Sequence, residues 1–74
     1  MRRYAVVIEQ AEDGGFGGYV PDLPGCAVCG YSTPAEAKAA LSEAVAMHLA
    51  GMIEDGETIP EPTTLTDYVT VDAA

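Results

Sequence analysis

The chain has 74 residues, and twelve Asp and Glu against three Lys and Arg give it a net charge of −9. A chain of this length forms one domain with a small core, which we expect to span residues 1–74. The charge disfavours direct binding of nucleic acid, because that requires a basic surface that displaces counterions. It favours a basic protein partner, or it serves solubility alone.

The sequence also disfavours a membrane protein and a secreted protein. No apolar run approaches the roughly 20 residues that span a bilayer, so we expect no membrane association. No secretory leader is recognised before the first apolar segment, and the sequence therefore predicts a cytoplasmic protein. In a reducing compartment Cys26 and Cys29 are not expected to form a structural disulfide.

The first elements in chain order predict a β-hairpin. Residues 3–9 are rich in β-branched and aromatic side chains that alternate between two faces. The acidic turn that follows contains Glu12, Asp13 and two glycines, and residues 16–20 resume the extended pattern. Gly17 and Gly18 weaken this second strand and predict a bulge or a close approach of another part of the chain.

A stiff loop joins the hairpin to a short third strand, predicted over residues 26–30. Pro21 and Pro24 each fix their own backbone, so the loop presents Asp22 and Leu23 on a rigid turn. Rigid loops lose little entropy on binding, which makes these two residues candidate partner contacts. In the alternative, Leu23 tucks under the helix and Asp22 caps its own turn.

A helix with clear start and stop signals follows, from Pro34 to about Asp55. Thr33 is the predicted N-cap, and Glu36 stands where it completes a capping box. Gly56 suits the position just after the helix, and the prolines beyond it prevent continuation. Apolar residues recur at three- and four-residue spacing on one face. They are Ala37, Leu41, Ala44, Val45, His48, Leu49, Met52 and Ile53.

Residues 68–71 (Tyr-Val-Thr-Val) predict a final strand at a sheet edge. The predicted fold is therefore α+β, with the order β-β-β-α-β: a two-layer sandwich of an antiparallel sheet and one long helix packed on one of its faces. A core this small and an open sheet edge both favour a homo-oligomer, most simply a dimer.

Three blocks of the sequence resemble one known family. They are Tyr-Val-Pro-Asp-Leu-Pro-Gly-Cys at 19–26, Thr-Pro-Ala-Glu-Ala at 33–37, and the segment from Glu54 to Pro62. Their order and spacing are similar to those of HicB-like antitoxins over roughly residues 4–62. The turn at residues 30–33 is one residue longer than usual. The resemblance implies a partial RNase H-like or dsRBD-like domain, without the C-terminal DNA-binding domain found in many longer relatives.

The residues that invite catalytic or metal chemistry are few. Cys26 and Cys29 form a Cys-x-x-Cys, but zinc needs four ligands and only His48 could add another from this chain. A redox role requires a helix directly after the motif, so we interpret both cysteines as small buried hydrophobes. His48 lies on the apolar face of the helix and indicates a packed or interface histidine rather than a general base. No cofactor or metal is expected.

The resemblance implies an antitoxin that occludes a small basic ribonuclease toxin (HicA-like) by stoichiometric binding. The predicted contacts are one apolar residue and four acids, namely Glu9, Glu12, Asp13, Asp22 and Leu23. The alternatives are an orphan structural homo-oligomer and a metal-dependent RNase. A two-metal nuclease needs converging carboxylates, whereas these acids lie at strand ends and on turns. We therefore expect a binding protein and not an enzyme.

Overall fold

The computed structural model describes residues 2–73. It contains three strands, β1 (Val7–Gln10), β2 (Phe16–Tyr19) and β3 (Ala27–Tyr31), followed by one helix, α1 (Pro34–Glu54). The strands form one sheet in the order β1-β2-β3, and both neighbouring pairs are antiparallel. The helix packs on one face of this meander, which is the two-layer α+β arrangement predicted for the first four elements.

The turn between β1 and β2 is held by hydrogen bonds within its own residues. The backbone N–H of Ala11 donates to the carbonyl of Gly15 over 2.7 Å, and the N–H of Gly14 donates to the carbonyl of Ala11 over 3.0 Å. Gly14 has a φ of 90°, which a residue with a Cβ rarely adopts. Asp13 Oδ1 accepts from the N–H of Gly15 at 2.9 Å. The acidic turn is therefore a defined structure.

Gly18 lets the helix approach the centre of the sheet. A Cβ at this position would stand 2.3 Å from the carbonyl oxygen of Val7 and 2.9 Å from Cδ1 of Leu41. The pairing of β2 with β3 also shifts register between Phe16 and Gly18. The bulge and the close approach predicted from the glycine pair are both present, and they explain why a strand interior lacks side chains here.

A small apolar core lies between the sheet and the helix. Its buried members are Val20, Leu23, Cys26, Ala37 and Leu41. Leu23 and Leu41 are fully enclosed. Partly buried apolar side chains surround them: Tyr4, Val6, Ile8, Val28, Ala44, Val45 and Leu49. The apolar face of α1 thus packs inward over most of its length, whereas Ile53, predicted to lie on that face, is 67% exposed.

Local hydrogen bonds satisfy several of the free backbone groups at both ends of α1. Thr33 is the N-cap: its Oγ1 accepts from the N–H of Glu36 at 3.1 Å and donates to the Glu36 carboxylate at 3.0 Å. At the other end, Gly56 has a φ of 71°. The N–H groups of Gly56 and Glu57 donate to the carbonyls of Ile53 and Met52, which is a Schellman motif. The helix stops because the chain turns left-handed at Gly56.

The predicted final strand is not formed. Within residues 2–73 no strand follows α1, and the apolar side chains of the last segment are exposed: Tyr68 96%, Val69 88% and Val71 73%. The radius of gyration is 14.2 Å, against about 11 Å for a compact domain of this length. The prediction was wrong for the single chain, because strand-forming side chains do not make a strand without a neighbour to pair with.

Candidate protein-binding site

The hairpin end of the sheet carries three of the predicted contact residues. Glu9, near the end of β1, and Glu12 and Asp13, in the turn, are all exposed. Glu9 and Asp13 line the same open groove of 610 Å³. No basic side chain lines that groove, so the structure gathers unpaired negative charge at one end of the molecule. We call these three residues the acidic turn patch.

The groove beside the acidic turn patch runs over the sheet surface that α1 does not cover. Gly17 forms its floor, because a Cβ there would stand 2.6 Å from the carbonyl oxygen of Val28. Tyr19, Ala27 and Cys29 also line it, and Tyr19 is 42% exposed. The site therefore combines acids at one end with a shallow floor of small and aromatic groups. Such a surface suits a basic protein with apolar side chains between its charges.

Asp22 lies away from this patch and has partners within the chain. Its carboxylate accepts from the N–H and the hydroxyl of Thr63 at 3.0 and 3.2 Å, and from those of Thr64 at 3.0 and 2.7 Å. The backbone hydrogen bond from Thr64 is the first cause that lowers the pKa of Asp22. The turn and Asp22 lie at opposite ends of β2, roughly 15 Å apart at the usual rise per residue.

We call the contact of Asp22 with Thr63 and Thr64 the Asp22 latch. It differs from both sequence-based interpretations of Asp22. The carboxylate neither caps its own loop nor points free into solvent, since its oxygens hold the chain that follows the helix. Asp13 instead is the carboxylate that caps its own turn. Asp22 is therefore a positioning residue for residues 63 and 64 in this conformation.

Leu23 requires a correction. Its side chain is 0% exposed and belongs to the core cluster with Val20, Cys26 and Leu41. The alternative in which Leu23 tucks under the helix is the arrangement found, because Leu23 packs with Leu41 of α1. The Pro loop is turned inward by local hydrogen bonds, such as that from the N–H of Leu23 to the carbonyl of Val20 at 3.1 Å. A side chain in this position stabilises the fold and is not available as a partner contact.

The two cysteines have different environments. Cys26 is 5% exposed, and burial raises the pKa of its thiol, as for a small core hydrophobe. Cys29 is exposed on the groove, so its interpretation as a buried hydrophobe was wrong. Both are free thiols. His48 is partly buried on α1 beside Pro24 and Met47, in an open cleft on another side of the molecule.

The part of the chain that the structure describes contains neither a cluster of metal-binding side chains nor a helix that could span a membrane. Among residues 2–73, no three side chains of the metal-binding types lie close enough together to hold an ion. Over the same residues, α1 is not apolar enough over its length to cross a lipid bilayer.

The Asp22 latch is the feature that sequence reasoning missed. It joins two loops separated by about forty residues, each of which looks like an ordinary solvated turn. Local patterns such as periodicity and capping report only neighbours in sequence, so they hold no signal for this contact. The weak hint was a pair of adjacent threonines after Pro62, which offer two hydroxyl and two amide donors together.

Comparison with known proteins agrees with this architecture. Residues 4–73 match the model of a family described as HicB-like antitoxin of bacterial toxin–antitoxin system. The chain is also 38% identical over 66 residues to an uncharacterized 14.9 kDa protein in the rep-hol intergenic region of Haemophilus phage HP1. That match covers 89% of this chain and 48% of the phage protein, so the chain spans about half the length of this relative. Because the family match covers nearly all of its residues, the chain belongs to the HicB-like antitoxin family.

Proposed function

We propose that this protein is an antitoxin that neutralises a small basic ribonuclease toxin (HicA-like) in the cytoplasm, by one-to-one occlusion and without binding nucleic acid itself. The family match over residues 4–73 is the observation that carries this proposal. The net charge of −9 supports a basic partner, and the family is one of antitoxins rather than of nucleases.

The acidic turn patch is the proposed recognition element. Glu9, Glu12 and Asp13 stand together on a hairpin whose turn is held by its own hydrogen bonds, so little conformational entropy is lost when a partner binds. The adjoining groove gives apolar contacts beside the charges. When a basic toxin is bound there, these carboxylates cover the toxin surface that would otherwise bind RNA phosphates.

The first test measures inhibition. The probe is any small basic protein that is encoded in a reading frame next to this one, assayed for RNA cleavage as this chain is added. We expect cleavage to stop at about one equivalent, because occlusion is stoichiometric. If the chain neither inhibits the probe nor binds it in a titration, or if no such probe is encoded there, the antitoxin proposal fails and the orphan structural homo-oligomer remains.

The second test locates the contact by exchanging charge at two places. The site variant is Glu9→Lys, Glu12→Lys and Asp13→Lys together. The control variant is Glu43→Lys, Glu54→Lys and Glu57→Lys, which makes the same change of net charge at exposed positions on and after α1. Because the long-range attraction falls equally in both, any difference between them reports local contacts.

We expect the site variant to lose about tenfold or more in affinity at low salt, and the control variant to stay within about threefold of the native chain. Raising the salt through physiological strength should slow association of the native pair more than it speeds dissociation. Equal losses in both variants, with native circular dichroism, would mean that the acidic turn patch is not the contact and that charge acts only at long range.

A further inference from the structure

The face of the sheet that α1 does not cover carries few polar side chains. A Cβ on Gly18 would meet Leu41 of α1, so Gly18 lies on the helix side of β2. Successive residues of a strand alternate between faces, which places Gly17 and Tyr19 on the open side. Antiparallel sheets that are covered on one side normally carry polar residues on the other. Here Glu9 is the only charged residue of the three strands, so the open face has the composition of a surface that a partner covers.

A hollow lies over Gly17 near the centre of this face. Two residues of β3, Cys29 and Gly30, stand opposite Gly17 alone, because the pairing of the two strands shifts register here. The backbone of β3 comes so close that a Cβ on Gly17 would stand 3.0 Å from Cα of Cys29. Ala27, which is also on the open face, is small and exposed. Because these groups are small, they leave a space over Gly17, which we call the Gly17 hollow.

The Gly17 hollow has an aromatic residue on one side and an acidic residue on another. Glu9 pairs directly with Gly17 across β1 and β2, and Tyr19 follows Gly17 by two residues on the same face. Glu9 and Tyr19 are thus diagonal neighbours, whose backbones stand roughly 7–8 Å apart in an antiparallel sheet. Both line the groove of 610 Å³, and Tyr19 is 42% exposed. A group that enters between them meets an aromatic ring and a carboxylate together.

One type of side chain matches both of these residues. A guanidinium group is planar and always charged, it stacks on aromatic rings, and it pairs with a carboxylate through two N–H donors. A cation within about 6 Å of a ring centroid is attracted by the ring. The apolar stem of an arginine also covers small groups such as those on the floor of the hollow. The ammonium group of lysine is a compact and strongly hydrated charge, so it matches the ring less well.

We propose that the Gly17 hollow receives an arginine side chain of the partner, with its guanidinium between Tyr19 and Glu9, and that Tyr19 sets the preference for arginine. The inference rests on the proposed function for the identity of the partner, which is a basic toxin. Charge complementarity favours this occupant over a second copy of the chain, because a second copy would bring further acids to an acidic rim. Tyrosine and arginine are also among the residues that most often dominate the binding energy of an interface.

The first experiment uses peptides, so it needs no toxin. The probes are the peptide acetyl-Gly-Gly-Arg-Gly-Gly-amide and the same peptide with lysine or citrulline at its centre. Each is titrated into the isotope-labelled chain, and amide chemical shifts are followed by NMR. We expect the largest changes at Glu9, Gly17 and Tyr19, and binding of the arginine peptide that is about threefold or more tighter than binding of the other two. Changes spread over the exposed acids of α1, or equal binding of arginine and lysine peptides, would overturn the proposal.

Substitutions then test each side of the hollow with a matched control. Tyr19→Ala should abolish the preference for arginine over lysine, whereas the conservative variant Tyr19→Phe should restore it. Tyr68→Ala is the control, since it removes a tyrosine that is 96% exposed and outside the groove. Glu9→Gln, at an exposed position, should weaken binding of the arginine peptide about threefold or more, and Glu43→Gln on α1 is its control. A preference for arginine that survives Tyr19→Ala, or equal effects of Glu9→Gln and Glu43→Gln, would contradict the assignment.

The same variants, measured against a small basic protein encoded in a neighbouring reading frame, separate this inference from the proposed function. We expect Tyr19→Ala to weaken that complex about tenfold or more and Tyr68→Ala to change it less than about threefold. Tight binding by the native chain that Tyr19→Ala leaves unchanged would overturn the inference and leave the proposed function standing. Arginine-selective binding in the hollow by a chain that neither binds nor inhibits such a protein would support the arginine site and refute the proposed function.

Discussion

Two segments of this chain have nearly the same strand signal and different structures. Residues 4–8 and 65–71 are both short, β-branched and aromatic, yet the first leads into β1 and the second forms no strand in the single chain. β1 has β2 beside it, joined by a turn that sets the register, and α1 covers one of its faces. The difference teaches that strand propensity is realised only where another strand and a covering layer are supplied.

The two regions also differ in what holds them. The body, residues 4–56, is stabilised by a small apolar core and by two backbone ladders. The chain after it has several polar contacts with the body, of which the Asp22 latch has the most hydrogen bonds. Its large apolar side chains from Leu65 to Val71 are exposed to water. Mutations should therefore change the free energy of unfolding strongly in the body and little in residues 65–71.

The largest contrast is expected from one substitution made in each region. Leu41→Ala removes a fully buried side chain, and loss of contacts plus the cavity should cost about 2–5 kcal/mol. Leu65→Ala, at a side chain that is 95% exposed, should change the free energy of unfolding of the monomer by less than about 0.5 kcal/mol. Urea denaturation measures both. Similar costs at the two positions would refute the division into a packed body and an exposed segment at residues 65–71.

Substitutions at two glycines test how closely α1 packs on the sheet. Gly18→Ala forces a Cβ against the carbonyl of Val7 and the side chain of Leu41, and we expect a loss of about 1–3 kcal/mol. Gly51→Ala is the matched control, since a Cβ there meets nothing within 4 Å. As a helical glycine it should gain about 0.5–1 kcal/mol. A tolerated Gly18→Ala in the same denaturation series would show that the helix does not pack this closely.

The helix cap gives an intermediate effect. Thr33→Ala leaves the N–H of Glu36 without its side-chain acceptor and should lower stability by about 1 kcal/mol. Ser32→Ala, next to it and also exposed, serves as the control. A difference between the two below about 0.2 kcal/mol in denaturant melts would count against the cap.

The smallest effect on global stability is expected at the Asp22 latch. Asp22→Asn removes the charge that the two threonines stabilise, and amide exchange at Thr63 and Thr64 should become faster while the body melts as before. The pKa of Asp22 is lowered below its ordinary value of 3.8, so the latch is fully present above that pH and is lost as the pH falls through the lowered value. The measurement is the protection factor, which is the intrinsic exchange rate at each pH divided by the observed rate. Protection factors at Thr63 and Thr64 that do not fall on acidification would contradict this assignment.

The body could be predicted from sequence because its signals are local. Thr33 and Gly56 mark the helix ends, and the glycines of β2 mark the place where α1 comes closest. The candidate site was only partly predictable. The acids of the hairpin turn are exposed, as residues in turns usually are. Leu23 and Asp22 are neighbours on one loop, but their environments are set by contacts with distant parts of the chain. Such contacts depend on the packed fold and leave no mark in a short window of sequence.

Hydrogen exchange of the chain, with and without a small basic protein encoded in a neighbouring reading frame, tests the central claim most directly. We predict that amides of residues 9–19, in the acidic turn patch and β2, become protected when that protein is added, because the patch is the contact. Residues 65–71 should show no change, since they lie outside the proposed contact. Protection confined to residues 65–71, or no protection anywhere in a mixture that stops RNA cleavage, would contradict the account.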